Sequence, residues 1–329
     1  MPTLADVAKL AGVGVMSVSR VVNGTRRVSP EVERRVRAAI KKIGYEPNEA
    51  ARVLKGNRGS VLGLIVPDLA DPFFSSCVSV IQETARQAGY MTLMAASGHR
   101  EDVERRETEL MVQRRVAGLL VAPIGVENSH FAAAQAAGVP VVAIDRPVTH
   151  VETDTVLVDN LEAAFKATRH LIEHGHREIV CIADDERIYT KNQRVLGYSR
   201  AMREARLPAR VCIVGPMTGA VTDQLPLFLD SKPRPTAIFA GSNHVGIDVL
   251  RYLQERSIQM PQGIAFVCFD DFNAATLVSP AITVVQQPVA EIGQRGAEMM
   301  LERLKNRNNK PPARVTIGTR LVIRKSCGC

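Results

Sequence analysis

The stretch Thr3-Leu4-Ala5-Asp6-Val7-Ala8-Lys9-Leu10-Ala11-Gly12-Val13-Gly14-Val15-Met16-Ser17-Val18-Ser19-Arg20-Val21-Val22-Asn23-Gly24 decides the reading of this chain. Thr3 with Asp6 three residues on has the form of a capping box, and the carboxylate also suits the positive end of a helix dipole. Leu4, Val7, Ala8 and Ala11 keep helical spacing until Gly12 breaks it. Gly14 precedes a second short helix, about Val15 to Val22, whose Val18, Val21 and Val22 turn inward before Asn23-Gly24 ends it. Ser29-Pro30 then caps a third helix, which carries Val32, Val36, Ala39, Ile40 and Ile43 on one face and is closed by Gly44. Two short helices across a tight glycine-containing turn, with a supporting third, form a helix-turn-helix pattern.

In such a motif the second helix enters the major groove and its N-terminal side chains reach base edges. That position nominates Val15, Met16 and Arg20. A guanidinium pairs in bidentate fashion with guanine, and apolar side chains meet a thymine methyl. Thr3, Ser17, Ser19, Asn23 and Ser29 are small polar groups near helix ends, suited to phosphates, although Ser17 and Ser19 also read as ordinary exposed helix residues. Charge fits a polyanion partner, and equally a solvated charged face. Residues 1–60 hold 12 Lys/Arg against 5 Asp/Glu, whereas the other 269 hold 30 against 29.

The residues Thr3-Leu4-x-Asp6-Val7-Ala8, Ala11-Gly12-Val13, Ser17-Val18-Ser19-Arg20-Val21-Val22-Asn23-Gly24, Val28-Ser29-Pro30 and Gly44-Tyr45-x-Pro47-Asn48-x-x-Ala51-Arg52-x-Leu54 resemble the lactose-repressor/galactose-repressor family. The family usually has Ser where this chain has Gly14, which removes one possible phosphate contact while leaving a tolerable N-cap. The resemblance implies that Pro47–Gly56 is a hinge that becomes a short helix on operator DNA. Asn48, Ala51, Arg52, Leu54 and Lys55 then lie in the minor groove, with Leu54 wedged between base pairs. A helix that short is marginal alone in water, and an apolar wedge is a known means of unstacking bases. On its residues alone the segment also reads as a plain linker with Leu54 packed on the core.

From Val61 onward short apolar runs alternate with helical stretches. Strands are expected at 61–66, 91–95, 118–121, 139–144, 179–183, 211–214, 237–240 and 265–269. Helices are expected at about 74–89, 101–114, 127–137, 160–174, 190–206, 243–256 and 288–305. This alternation means parallel sheets covered by helices, and so many units imply two α/β subdomains. Ligands in such folds sit outside the carboxyl ends of the strands. Phe73, Phe74, Asp145, Arg146, Arg194, Ser242, Asn243, Asp270 and Gln287 fall there, a set of carboxylates, guanidiniums, amides and rings suited to a polyol. The resemblance covers this region too and implies a core like the periplasmic sugar-binding proteins. It puts effector contacts at Phe73, Asp145, Arg194, Ser242 and Asp270, although the family commonly has Asn-Asp at Ser242-Asn243.

The expected fold class is therefore an all-α helix-turn-helix head with a hinge helix, followed by an α/β core of two doubly wound parallel-sheet subdomains. The head takes residues 1–46, the hinge 47–60 and the core 61–329. One subdomain holds about 61–158 and 284–316, the other about 159–283 and 317–329. The expected partners are double-stranded palindromic operator DNA, a sugar, sugar-acid or sugar-phosphate effector, and a second copy of the chain in a homodimer. A protein co-effector stays open.

Other readings lose ground on composition and motif. With 46% hydrophobic and 23% charged residues the chain is globular. No run is long and apolar enough to span a membrane, and the first residues do not form a secretory signal, so a cytoplasmic protein is expected. The six Cys lie mostly within apolar strings, as free thiols do. Neither a Gly-x-Ser-x-Gly elbow nor a Walker phosphate loop is present, so an enzyme is not expected and no cofactor is assigned. A sugar-binding protein or a sugar-modifying enzyme with an incidental basic head is the alternative. No metal site is assigned: His174-x-His176 has no ligand cluster beside it in sequence, and Cys327-Gly328-Cys329 stands alone as a pair of thiols that chelate or oxidise. Residues 305–329 lack a heptad pattern, so nothing supports a tetramer.

Overall fold

The computed structural model describes residues 2–23, 28–45, 59–125, 127–214, 220–306 and 310–329. Two compact units emerge, Met1–Gly59 and Ser60–Cys329. The hinge residues Asn48, Ala51, Arg52, Leu54 and Lys55 lie outside the described residues.

The first unit contains α1 (Leu4–Ala11), α2 (Val15–Asn23) and α3 (Pro30–Ile43). The Thr3–Asp6 capping box is formed in both directions, and Thr3 Oγ1 also donates to Asp6 Oδ2 at 2.7 Å. Gly12 ends α1 at φ 61°, the left-handed region, and its carbonyl accepts from Arg35 Nη2 at 3.1 Å. A Cβ there would lie 2.5 Å from that guanidinium nitrogen, so glycine serves both the turn and the approach of α3. Gly14 O accepts from the amides of Ser17 and Val18, which starts α2 without a side-chain cap. Val7, Ala8, Ala11, Val18, Val36, Ala39 and Tyr45 form the small core, with Leu4, Val21, Val22, Val32, Ile40 and Ile43 packed against it.

The second unit holds two six-stranded sheets. In the first, β1 (Val61–Val66), β2 (Met91–Ala96), β3 (Gly118–Val121), β4 (Val141–Ile144), β5 (Asp154–Val158) and β11 (Arg314–Ile317) run in the order β11-β5-β4-β3-β1-β2. Helices α4 (Pro72–Gln87), α5 (Glu101–Gln113) and α6 (Ser129–Ala136) connect its strands. In the second sheet, β6 (Ile179–Ala183), β7 (Arg210–Ile213), β8 (Ala237–Ala240), β9 (Ala265–Phe269), β10 (Thr283–Gln286) and β12 (Arg320–Val322) run β12-β10-β9-β8-β6-β7. Its helices are α7 (Asn160–Glu173), α8 (Tyr189–Glu204), α9 (Ala220–Leu229), α10 (Asn243–Glu255) and the short α11 (Ala274–Leu277). The last helix, α12 (Val289–Asn306), crosses back: its Ile292, Ala297, Met299 and Met300 pack beside Leu62, Leu64 and Leu120 of the first sheet. Every described pair is parallel except β10–β12.

Side-chain alternation divides each sheet between two cores. Leu62, Leu64 and Val66 face one, and Ile65 faces the other. The expected subdomain bounds differ from the observed ones at two places. Ile317 pairs with Val158 and so belongs to the first subdomain, not the second. Residues 284–286 belong to the second subdomain, because Thr283, Val284 and Val285 pair with Val267, Cys268 and Phe269, so the crossing falls after Gln286. The strand is apolar and buried, and sequence pattern does not say which of two similar sheets it joins.

Candidate functional site

On the first unit, Val15 and Met16 open α2 with apolar side chains in water, 49% and 72% exposed. Apolar groups at a solvated helix start are what a base-reading surface presents. Arg20 follows on the same helix, half-buried. Ser17 and Ser19 are half-buried beside it, and Thr3 and Ser29 are exposed at the N-caps of α1 and α3. The Asp6 carboxyl sits below its ordinary value because Thr3 donates to it from side chain and backbone. Asn23 closes α2, and its side chain lies outside what is described.

In the second unit the strand ends build a polar cleft. Asp145 follows β4 and Asp270 follows β9, the same place in two sheets wound alike. Their backbones match. Each is left-handed, at φ 65° and 75°, and each amide donates at 2.9 Å to the neighbouring strand, to Val156 O and Val285 O respectively. Positive φ in a residue other than Gly is strain, and such strain concentrates at functional sites.

Each carboxylate has a guanidinium beside it. Arg146 Nε donates to Asp145 Oδ2 at 2.9 Å, Arg146 Nη1 to Pro123 O at 3.3 Å, and the Arg146 guanidinium stands 5.7 Å from the Phe74 ring centre. Arg194 lies 3.7 Å over the Phe269 ring, donates from Nε to Asn160 Oδ1 at 2.8 Å and from Nη1 to Gly241 O at 2.9 Å, and approaches Asp270 Oδ2 at 3.4 Å. Burial pushes the Asp145 carboxyl up, Arg146 and Arg194 pull it down, and Asp270 pushes it up again, with a net upward result. The charges of both subdomains therefore reach one another across this cleft. Gln287 donates from Nε2 to Asp270 Oδ1, and its own Oε1 is buried without a partner, as is Asp184 Oδ1. Phe73, Asp270 and Gln287 line a cavity of about 290 Å³ together with Phe272 and Asn273.

The structure thus gathers Phe73, Phe74, Asp145, Arg146, Arg194, Asp270 and Gln287 about one cleft. Ser242 and Asn243 are spent differently. Ser242 caps α10 and approaches Asp184 Oδ2 at 3.5 Å. Asn243 accepts from the His244 amide and donates to Asp71 Oδ1 at 2.9 Å, while His244 Nε2 meets Asp71 Oδ2 at 3.1 Å. Asp71 caps α4 of the first subdomain, so this contact latches one subdomain to the other. Burial raises the Asp71 carboxyl, but hydrogen bonds from His244, Phe73 and Asn243 outweigh it and hold it down, and Asp71 in turn raises His244.

Sequence reasoning missed Asp71, Asp184, Asn160 and Phe272 as site groups. For Asp184 a signal was available, since it directly follows the strand Ile179–Ala183, where ligand groups of such folds sit.

Two family descriptions match the chain: "Bacterial regulatory proteins, lacI family" over residues 3–48 and "Periplasmic binding protein-like domain" over residues 168–327. Among curated proteins, the chain is 31% identical over 333 residues to the HTH-type transcriptional repressor PurR of Escherichia coli O139:H28, across 99% of this chain and 97% of the relative. It is 29% identical over 328 residues to catabolite control protein A of Priestia megaterium, across 98% of each. Among solved structures, the complex of the transcriptional regulator CelR with cellobiose superposes with a TM-score of 0.75 at 29% identity, over 99% of this chain and 100% of that one. The lac repressor dimer bound to operator and the anti-inducer ONPF gives a TM-score of 0.84 over 99% of each chain, and at 23% identity that likeness is one of fold.

Proposed function

The chain belongs to the lacI family of bacterial regulatory proteins, and from that premise we propose that it represses transcription as an operator-bound homodimer under the control of a sugar-like effector. The effector is a sugar, sugar acid or sugar phosphate held between the two sheets. One observation carries this reading: the paired left-handed carboxylates Asp145 and Asp270, each with a guanidinium, beside the unpartnered Gln287 Oε1. Carboxylate and amide oxygens accept from hydroxyls, guanidiniums donate to hydroxyl or acid oxygens, and Phe73 and Phe74 cover apolar ring faces.

In this proposal Val15, Met16 and Arg20 read base edges, while Thr3, Ser17, Ser19, Asn23 and Ser29 meet phosphates. Asn48, Ala51, Arg52, Leu54 and Lys55 enter the minor groove at the operator centre. The work takes place in the cytoplasm, where the DNA is. For the homodimer the support is β2, an edge strand whose Met91, Leu93 and Met94 are 69%, 38% and 41% exposed. An effector shifts operator affinity only through its unequal affinity for two states of the core.

Calorimetric titration of the purified protein with a panel of sugars, sugar acids and sugar phosphates tests the effector. One panel member binds the parent chain and loses affinity in Asp270→Asn, which leaves Arg194 without its carboxylate. If none binds, or if Asp270→Asn binds as well as the parent, the cleft is not the effector site.

A further inference from the structure

The last residues of the sequence return to a helix far from them in the chain. Thr283 N donates to Ser326 Oγ at 2.8 Å, Phe266 N to Ser326 O at 2.8 Å, and Arg324 reaches Asp271 with Nη1 and Nη2 at 2.9 and 2.7 Å. These bonds seat the segment after β12 on the ends of β9 and β10. Gly328, at φ 85°, then turns the chain so that Cys327 Sγ and Cys329 Sγ face each other at 2.6 Å. Both cysteines are free thiols, Cys327 buried and Cys329 exposed. Cys329 Sγ also meets His170 Nε2 at 3.1 Å.

His170 lies in the last turn of α7 and His174 is its C-cap, four residues on, so their rings share one face, with centroids 4.3 Å apart. Ligand atoms of His170, His174 and Cys329 lie within 4.8 Å of one another. We propose that Cys327, Cys329, His170 and His174 form a binding site for a thiophilic metal ion of the Zn²⁺ class. Two thiolates and two imidazoles are a donor set that zinc takes as a tetrahedron, with bonds of roughly 2.0–2.3 Å.

Two outer contacts suit a metal site, while Cys327 Sγ, which also approaches Arg324 O at 3.4 Å, would give up that bond on losing its proton. His174 Nδ1 donates to His170 O at 2.8 Å, which fixes the tautomer that leaves the Nε2 lone pair bare. Thr283 Oγ1 donates to Cys327 Sγ at 3.1 Å, the hydrogen bond a coordinating thiolate receives. His176 stands nearby but is already engaged, through Nδ1 to Thr236 Oγ1 at 3.0 Å and through a bond to the Cys327 backbone. His170 and His174 are therefore the imidazoles left to bind. The bound ion would fasten the Arg320–Cys329 segment to α7 and so stiffen the second subdomain behind β10, the strand that leads to Gln287.

The experiment uses the reduced, metal-stripped full chain. Zn²⁺ is titrated against a competing chelator, Co²⁺ serves as a spectroscopic probe, and the variants are His174→Ala and Cys329→Ser, both at exposed positions. The parent chain should bind one ion per chain and give a thiolate-to-cobalt charge-transfer band with tetrahedral ligand-field bands. Each variant should weaken Zn²⁺ binding by more than about 10–100-fold, the cost of losing an outer partner alone. Cys329→Ser should also weaken the charge-transfer band of any Co²⁺ still bound, since it removes one of the two thiolates. Circular dichroism of the variants should match the parent, which separates lost ligation from lost folding. Absence of zinc uptake by the reduced parent overturns the site, as does uptake that both variants retain. A chain whose only tail chemistry is a Cys327–Cys329 disulfide, with no ion bound after reduction, overturns it equally.

Discussion

Arg20 and the Asp71–His244 latch each carry a separate consequence. Arg20 sits one helical turn past Met16 on α2, and both are proposed to read base edges. Arg20→Ala should cost about 1–3 kcal/mol at the preferred operator and relax base choice at one position of each half-site. Selection from a random DNA pool checks this, and an unchanged preferred sequence would contradict it. Asp71 and His244 give the core a pH dependence of known sign. His244 is raised above its ordinary 6.5 by its hydrogen bond to Asp71 and that carboxylate's charge, with burial and Lys191 opposing and Asp184 supporting. A raised group contributes fully below its ordinary value, and the contribution fades as pH rises through the raised value. Asp71 is held below its ordinary 3.8, so its contribution persists above that value and is lost only as pH falls through the depressed one. The latch is therefore strongest from about pH 4 to 6.5 and loosens at higher pH. Small-angle scattering across pH 6 to 8 should show the core opening as pH rises, and Asp71→Asn, which keeps a helix-capping oxygen, should flatten the change.

Helix α8 shows how an element delivers a site residue. Gly197 lets α8 press on α7, because a Cβ there would lie 2.2 Å from Leu161 O, a backbone atom that cannot step aside. Arg194 is three residues earlier on the same helix, bonded to Asn160 at the start of α7. Gly197→Ala should cost about 1–3 kcal/mol by overpacking and should weaken effector binding as well, since it moves Arg194. Thermal unfolding and calorimetry read the two effects, and full retention of both would refute the packing argument. The head shows the opposite case, in which local residues sufficed. The capping box at Thr3, the left-handed Gly12 and Gly44, and the Ser29-Pro30 start of α3 are all formed where the sequence placed them. Those signals are local, and so are the bonds they make. Strand β5 was not legible for the opposite reason. It begins with Asp154 and Thr155, both buried, which reads as a loop until Arg303 of α12 arrives and sets Nη2 2.9 Å from Asp154 Oδ1. That partner is 149 residues away. The placement of β10, the short α11 and α9 with its internal Pro226 rest on tertiary contacts in the same way. At the cleft, strand ends gave Asp145 and Asp270, but the spending of Ser242 and Asn243 on a cap and a latch depends on Asp184 and Asp71, which only the fold brings near.

At the scale of the whole molecule, a small basic module is joined to a nearly neutral core. Such a division makes operator binding electrostatic and effector binding much less so. Operator affinity should fall steeply with salt, while sugar binding to the core changes little, because only the former releases counterions. The exposed Met91, Leu93 and Met94 of β2 belong to the same scale, since an apolar edge strand left in water invites pairing. Leu93→Glu should shift sedimentation toward a monomer and weaken operator binding with it. Palindromic DNA rewards two heads only when they are held together. Coupling between cleft and operator is what makes the chain a regulator. The most direct measurement is operator affinity at one fixed salt concentration, with DNA selected by the protein itself, with and without the ligand found by titration. The account predicts a change of about tenfold, within the usual 1–3 kcal/mol of allosteric coupling, and its loss in Asp270→Asn. An operator affinity that the cleft-bound ligand leaves unchanged would contradict it.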